Sequence, residues 1–158
     1  MRDVTNNETL NQTLAPAART VTATGTTVDT GRDGYARAAN FVLGLWTDGV
    51  NTFTFEDSPD DSAWTAMVAA KLDFPVGLVA GVESGASIII DAAAEDNVSF
   101  SVGLLSTQRY VRVVQTVSGG PGTGLVSGVD IVTGNLRAAG NAGQPMTSAG
   151  YQRTQPSI

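Results

Sequence analysis

The run Glu56-Asp57-Ser58-Pro59-Asp60-Asp61 places four carboxylates within six positions. Calcium binds through several oxygen ligands, and neighbouring aspartates can supply them. The spacing lacks the glycine and the distal glutamate of an EF-hand loop. Aspartates beside Ser and Pro also cap turns with no ion present. Asp57, Asp60 and Asp61 are therefore the candidate metal ligands, set against a turn-capping reading, and the sequence points to no cofactor. A second acidic group, Asp91, Glu95 and Asp96, is open to the same two readings.

Paired carboxylates can also hydrolyse a glycosidic bond when they flank a sugar-sized cleft. Loop aspartates are far more often simply solvated, and no enzyme is expected here. The chain contains no His and no Cys. That removes Ser-His-Asp and cysteine nucleophile chemistry, zinc hydrolysis and the two-His iron site. Gly119-Gly120-Pro121-Gly122-Thr123-Gly124 lacks the Gly-Lys-Ser/Thr that completes a phosphate loop, so a hairpin turn accounts for it better. Trp46, Trp64 and Tyr110 offer a carbohydrate platform or, more ordinarily, buried aromatic packing. Arg109 and Arg112 could pair at an interface or lie on a solvated strand face.

Charge narrows the partners. The formal net charge is −6, and of nine basic residues Lys71 is the one lysine. Phosphate-driven nucleic-acid binding needs clustered Lys and Arg, which this chain lacks. No apolar run approaches the ~20 residues that span a bilayer. The opening Met1-Arg2-Asp3-Val4 runs into polar Asn and Thr rather than into the apolar stretch of a signal peptide. No nucleic acid and no membrane are expected as partners. The sequons at Asn7, Asn11 and Asn97 are chance matches in a Thr-rich chain.

The elements that must carry these residues are strands. Residues 1–17 are rich in Asn and Thr and end in Ala15-Pro16-Ala17; they are expected to form an N-terminal arm. Leu10 and Leu14 allow one helical turn, which is marginal alone. Arg19–Thr24 alternates and is β-branched, and Gly25 ends it. Residues 26–34 read as a turn-rich connection. Ala39–Trp46 is apolar enough for a central strand, with Phe41, Leu43 and Leu45 on one parity. Asp48-Gly49 then signals a hairpin into Asn51–Glu56, where Phe53 and Phe55 share one face and Thr52, Thr54 and Glu56 the other.

Trp64–Ala69 is expected to return as a strand, and Phe74-Pro75 to break before 76–82 and 86–90. Ile88-Ile89-Ile90 favours a strand, while 91–97 fits a helical turn or a loop. Further strands are expected at 98–104, 109–117 and 125–133. Residues 138–158, rich in Gly, Ala, Gln, Ser and Pro, read as a C-terminal arm. The fold class is therefore all-β: an antiparallel β-sandwich, jelly-roll-like, over 18–137, with arms at 1–17 and 138–158.

Several segments, taken in order, resemble small structural proteins of tailed phages. They are Leu14–Thr20 leading into Thr22–Thr26 and Val28-Asp29; Phe53–Ser58 with Asp60, Asp61 and Trp64; Gln108–Val113; and Thr116–Gly120. The resemblance runs over residues 14–137 and is to capsid decoration, or cement, proteins. It implies a β-sandwich that sits on the shell of a virion assembled in the host cytoplasm. It further implies a homo-oligomer, dimer or trimer, that contacts the major capsid protein and clasps adjacent subunits. A head-fibre or tail component with a glycan-binding sandwich is the alternative.

Overall fold

A computed structural model of the chain describes residues 8–31, 35–75 and 83–135. Within them, two antiparallel sheets pack face to face. The first sheet has the order β1 (Glu8–Arg19), β12 (Leu125–Asn135), β4 (Tyr35–Trp46), β10 (Ser99–Leu104) and β7 (Leu72–Asp73). The second runs β2 (Ala23–Thr24), β11 (Tyr110–Ser118), β5 (Val50–Ser58), β9 (Ser87–Ile90) and β8 (Glu83–Ser84). In the second sheet β3 (Val28–Asp29) continues the line of β2 along β11, and β6 (Thr65–Ala66) pairs with the end of β5.

The expected sandwich is thus the observed one, and strict alternation builds its core. Phe53 and Phe55 of β5, Phe41 of β4, Val111 and Val113 of β11, and Val129 and Ile131 of β12 all point inward and are buried. Phe41 bridges the sheets. It meets Phe53 and Phe55 edge-on, at centroid distances of 5.3 and 5.9 Å, and stacks on Phe100 at 5.0 Å. Such pairs contribute about 0.5–1.5 kcal/mol each beyond the area they bury.

The N-terminal arm needs correcting. Residues 8–17 belong to β1, paired along β12 from Glu8↔Gly134 to Arg19↔Leu125. Thr13 and Leu14 are both buried. Register shifts between Gln12 and Leu14 and between Leu14 and Ala17 break the alternation, so the apolar residues look scattered in sequence. Pro16 is tolerated because β1 is an edge strand. The C-terminal arm, 138–158, lies outside the described residues.

Other boundaries move for local reasons. Trp64–Ala69 keeps two residues of strand before a 3-10 turn at Ala69–Lys71. Asp91–Asn97 holds a 3-10 turn at Ala93–Glu95. Leu45 does not share the inward parity of Phe41 and Leu43 but is 60% exposed. The pairing shifts register there, from Leu125↔Trp46 to Ser127↔Leu43, which turns Leu45 out and brings Trp46 against the core.

Candidate functional site

The inward-facing row of β5 reads Asn51, Phe53, Phe55, Asp57, so parity carries Asp57 into the sandwich rather than into the acidic loop. Its carboxylate is buried at one end of the core. Oδ2 accepts from Lys71 Nζ at 2.7 Å and from Ser106 Oγ at 2.5 Å. Ser106 Oγ in turn accepts the Gln108 N–H at 3.0 Å. From the facing sheet, buried Arg37 donates to the carbonyls of Ser106 and Gln108 at 2.9 and 2.6 Å. The loop after β10 is thereby gripped by both sheets. Through Ser106 the Asp57 carboxylate is tied to that loop as well.

Asp60 lies beyond this cluster in the turn. Its Oδ1 accepts from the Ala63 and Ser62 N–H groups at 2.9 and 3.0 Å and from Ser58 Oγ at 3.1 Å. Those backbone donors, Ala63 first, hold its pKa well below the usual carboxylate range. Asp61 is exposed, with φ at +63°. The three candidate ligands are therefore not brought together. Asp57 points inward to an ammonium, Asp60 folds back on its own loop, and Asp61 faces water. Among the described residues no group of three or more acidic side chains is placed to hold a metal ion.

The second acidic group is also divided. Glu95 is buried, and its Oε2 accepts the Asp91 and Ala92 N–H groups at 2.9 and 3.3 Å. Asp96 Oδ2 accepts the Trp46 N–H at 2.9 Å, tying the loop to β4.

The aromatic candidates separate as well. Trp46 is half-buried at the start of the hairpin, where its Nε1–H donates to Gly49 O at 2.9 Å. Trp64 lies beside the other end of β5. There the Arg112 guanidinium sits 4.0 Å above its ring and pairs with Glu56 at 2.7 Å. Trp46 precedes the first residue of β5, whereas Arg112 pairs in register with Glu56 near its last. That span is about 20 Å at ~3.3 Å per residue. Arg109 makes a two-point contact with Asp29, at 2.9 and 2.7 Å, and stands 5.0 Å over the ring of Tyr110. Both arginines thus pair within the chain, each against an aromatic ring.

Two arrangements were not read from the sequence. Asp48 reaches across to the glycine-rich turn and accepts the N–H groups of Gly122, Thr123 and Gly124. These donors, Gly124 first, lower its pKa. At the opposite end of the core from Asp57, Gln115 donates to Asn51 Oδ1 at 2.9 Å and accepts from Ser127 Oγ at 2.7 Å. All three are fully buried, and they link β5, β11 and β12. Strand parity was the available signal, because each falls on the inward face of its strand.

No helix among the described residues is long and apolar enough to cross a membrane. Set against protein-family models, curated proteins and solved structures, the chain matches none. Of the residues that looked chemical in sequence, Asp57, Asp60, Glu95, Asp96, Arg109 and Arg112 are, as folded, clamps on the chain's own strands and loops.

Proposed function

We propose that this chain is a structural virion protein that binds the outside of a tailed-phage capsid. There it stabilises the shell by bridging adjacent major capsid subunits. The observation that carries the reading is the use to which the polar side chains are put. Asp48, Asp57, Asp60, Glu95, Arg37, Arg109 and Arg112 each brace the chain's own loops or strands. A sandwich braced in this way presents a rigid surface, as suits a clasp that acts without chemistry. The motif order over residues 14–137 supports the same reading.

The strand order adds support for a jelly roll. β2 and β3 count as one interrupted strand, and the two-residue strands β6, β7 and β8 are left aside. The remaining eight, numbered along the chain, then lie 1-8-3-6 in one sheet and 2-7-4-5 in the other. Two interleaved Greek keys give that order. On a shell, many copies would make individually weak contacts collectively strong.

The test is co-sedimentation of the purified protein with capsids that lack it, read by electron microscopy. Saturable occupancy of symmetry-related sites on the outer shell is the expected result. Absence of binding would overturn the reading and move the protein to a head fibre or the tail. Deleting 138–158 tests the C-terminal arm directly. Deleting 1–17 does not test an arm, because it removes most of β1 and with it buried Leu14.

A further inference from the structure

The outward face of the first sheet is unusual in its side chains. Three rows cross its centre in register: Val132 beside Ala38, Asp130 beside Asn40, and Gly128 beside Val42. Val42 is 57% exposed, and Leu10, which extends the first row on β1, is 63% exposed. Pro16 lies over Gly128, at 2.9 Å from where a Cβ would stand, which fills the hollow and keeps the face flat. On β12 and β4 Asp130 is the one charge in these rows, and the first row continues through Gly103 of β10 to exposed Asp73 of β7 at the far edge of the sheet. Among the described residues the Asp130 carboxylate accepts no hydrogen bond. Asn40 Oδ1 is taken by Ser101 Oγ at 2.6 Å, which leaves the Asn40 amide N–H₂ to donate outward.

We infer that this face is the interface of a two-fold dimer, with a second copy of the chain packed sheet to sheet upon it. The axis lies in the contact plane, parallel to the strands and between β4 and β12. That operation sets β4 of one copy over β12 of the other at the same height. Asn40 then meets the partner's Asp130, and Asp130 the partner's Asn40, so a free donor and a free acceptor satisfy each other twice. In the same arrangement Val132 meets Ala38, large against small, and Val42 meets the flat apolar shelf that Pro16 makes over Gly128. An isologous contact demands this self-complementarity. An unrelated partner would have to supply an acceptor and a donor at one matched spacing.

The area agrees. β4 and β12 are 12 and 11 residues long, and four strands lie across the face. At ~3.3 Å per residue and ~4.8 Å per strand this is roughly 700 Å² per copy. A standard stable interface buries about 800 Å² per partner. Two twisted sheets stacked ~10 Å apart cross at about 30°, so the match is closest in the three central rows named here. The dimer goes beyond the shell-binding reading and stands or falls without it.

Sedimentation equilibrium of the full chain, at about 1–100 µM, tests it. The expected result is a monomer–dimer equilibrium. Val42→Arg should raise the dimer Kd at least about tenfold with the fold retained by circular dichroism. Asn40→Asp keeps the acceptor for Ser101 but opposes two carboxylates, and it should weaken the dimer by a similar factor. Adding Asp130→Asn to that variant swaps donor and acceptor and should restore association. Thr54→Arg, on the outer face of the second sheet, should leave the Kd unchanged. A wild-type chain that stays monomeric at the top concentration or forms a trimer would overturn the inference. So would an Asn40→Asp variant that the second change does not rescue, or loss of the dimer in Thr54→Arg.

Discussion

The carboxylate of Asp48 accepts the backbone N–H of Gly124 at 2.6 Å, which joins the β4–β5 hairpin turn to the turn that precedes β12. Gly49 supplies the positive φ of the first turn, +79°, and Gly124 that of the second, +76°. A Cβ on Gly124 would collide with the Arg19 carbonyl oxygen, against the last residue of β1. Gly124→Ala therefore combines a left-handed backbone with a clash against main chain that has no room to yield. The expected loss is about 2–4 kcal/mol of unfolding free energy. Urea denaturation measures it, and a loss under about 1 kcal/mol would mean that the two turns are not packed as described.

Acid should loosen a second clamp. Asp29 has its pKa pushed down from 3.8 to about 2, first by the side-chain hydrogen bond from Arg109 and then by the Gly31 N–H. A carboxylate lowered in the folded state contributes stability above its unfolded pKa, and that contribution fades as pH falls through the folded value. The benefit of the carboxylate over an uncharged amide at this position should thus be complete above about pH 4 and vanish near pH 2. Both partners are about half exposed, at 55% and 45%, so solvent and salt screen the pair. A melting-temperature difference of about 1–3 °C between wild type and Asp29→Asn at pH 6 is expected. A difference that persists unchanged at pH 2 would show that the ion pair is not its source.

Sheet membership was legible in the sequence wherever side-chain alternation was uninterrupted. The Asp48-Gly49 turn and the Phe53/Phe55 face of β5 appear in the structure where the pattern puts them. β1 was not legible, because its two register shifts and Pro16 disguise alternation as scatter. The interruption of β2 and β3 at Gly25 likewise resembles a loop, although both pieces pair along β11. The site was harder to read for a different reason. Asp57 adjoins Asp60 and Asp61 in the chain, yet it is the last inward position of β5. Nearness in sequence suggested a shared ligand, whereas strand parity separates them. Parity also marks Asn51, Gln115 and Ser127 as inward, but nothing local says that they meet, since the triad joins residues 64 and 12 positions apart.

Removing the Asp57 carboxylate should cost more than its place in an acidic run suggests. Asp57→Ala leaves buried Ser106 without its acceptor and Lys71 without its partner. Lys71 is 35% exposed and can turn to water, which moderates the loss. An unfolding free energy lower by about 2–3 kcal/mol is expected. Asp57→Asn, which keeps an acceptor, should lose less. Calcium at millimolar excess should leave the wild-type melting temperature unchanged, because the ammonium of Lys71 stands where a cation would bind. A clear rise on adding calcium would return Asp57 to the metal-ligand reading.

A buried polar link joins the two sheets. Gln115 holds Asn51 with its N–H₂ and Ser127 with its carbonyl, so one side chain of β11 satisfies a group from each sheet. Gln115→Leu leaves both partners buried and unpaired, and each such group costs about 1–3 kcal/mol. A combined loss of about 2–4 kcal/mol in urea denaturation is expected. Asn51 Nδ2 already makes no hydrogen bond among the described residues, so the triad carries a polar cost as it stands. Converting all three to apolar residues, as Asn51→Val, Gln115→Leu and Ser127→Ala, should therefore recover most of that loss. Recovery would mean that the triad sets the alignment of the two sheets more than it stabilises them. Near-ultraviolet circular dichroism should then show a less defined aromatic core, because the edge-on contacts of Phe41 with Phe53 and Phe55 run between the two sheets. If the triple variant stays as unstable as Gln115→Leu alone, the hydrogen bonds themselves hold the sandwich together.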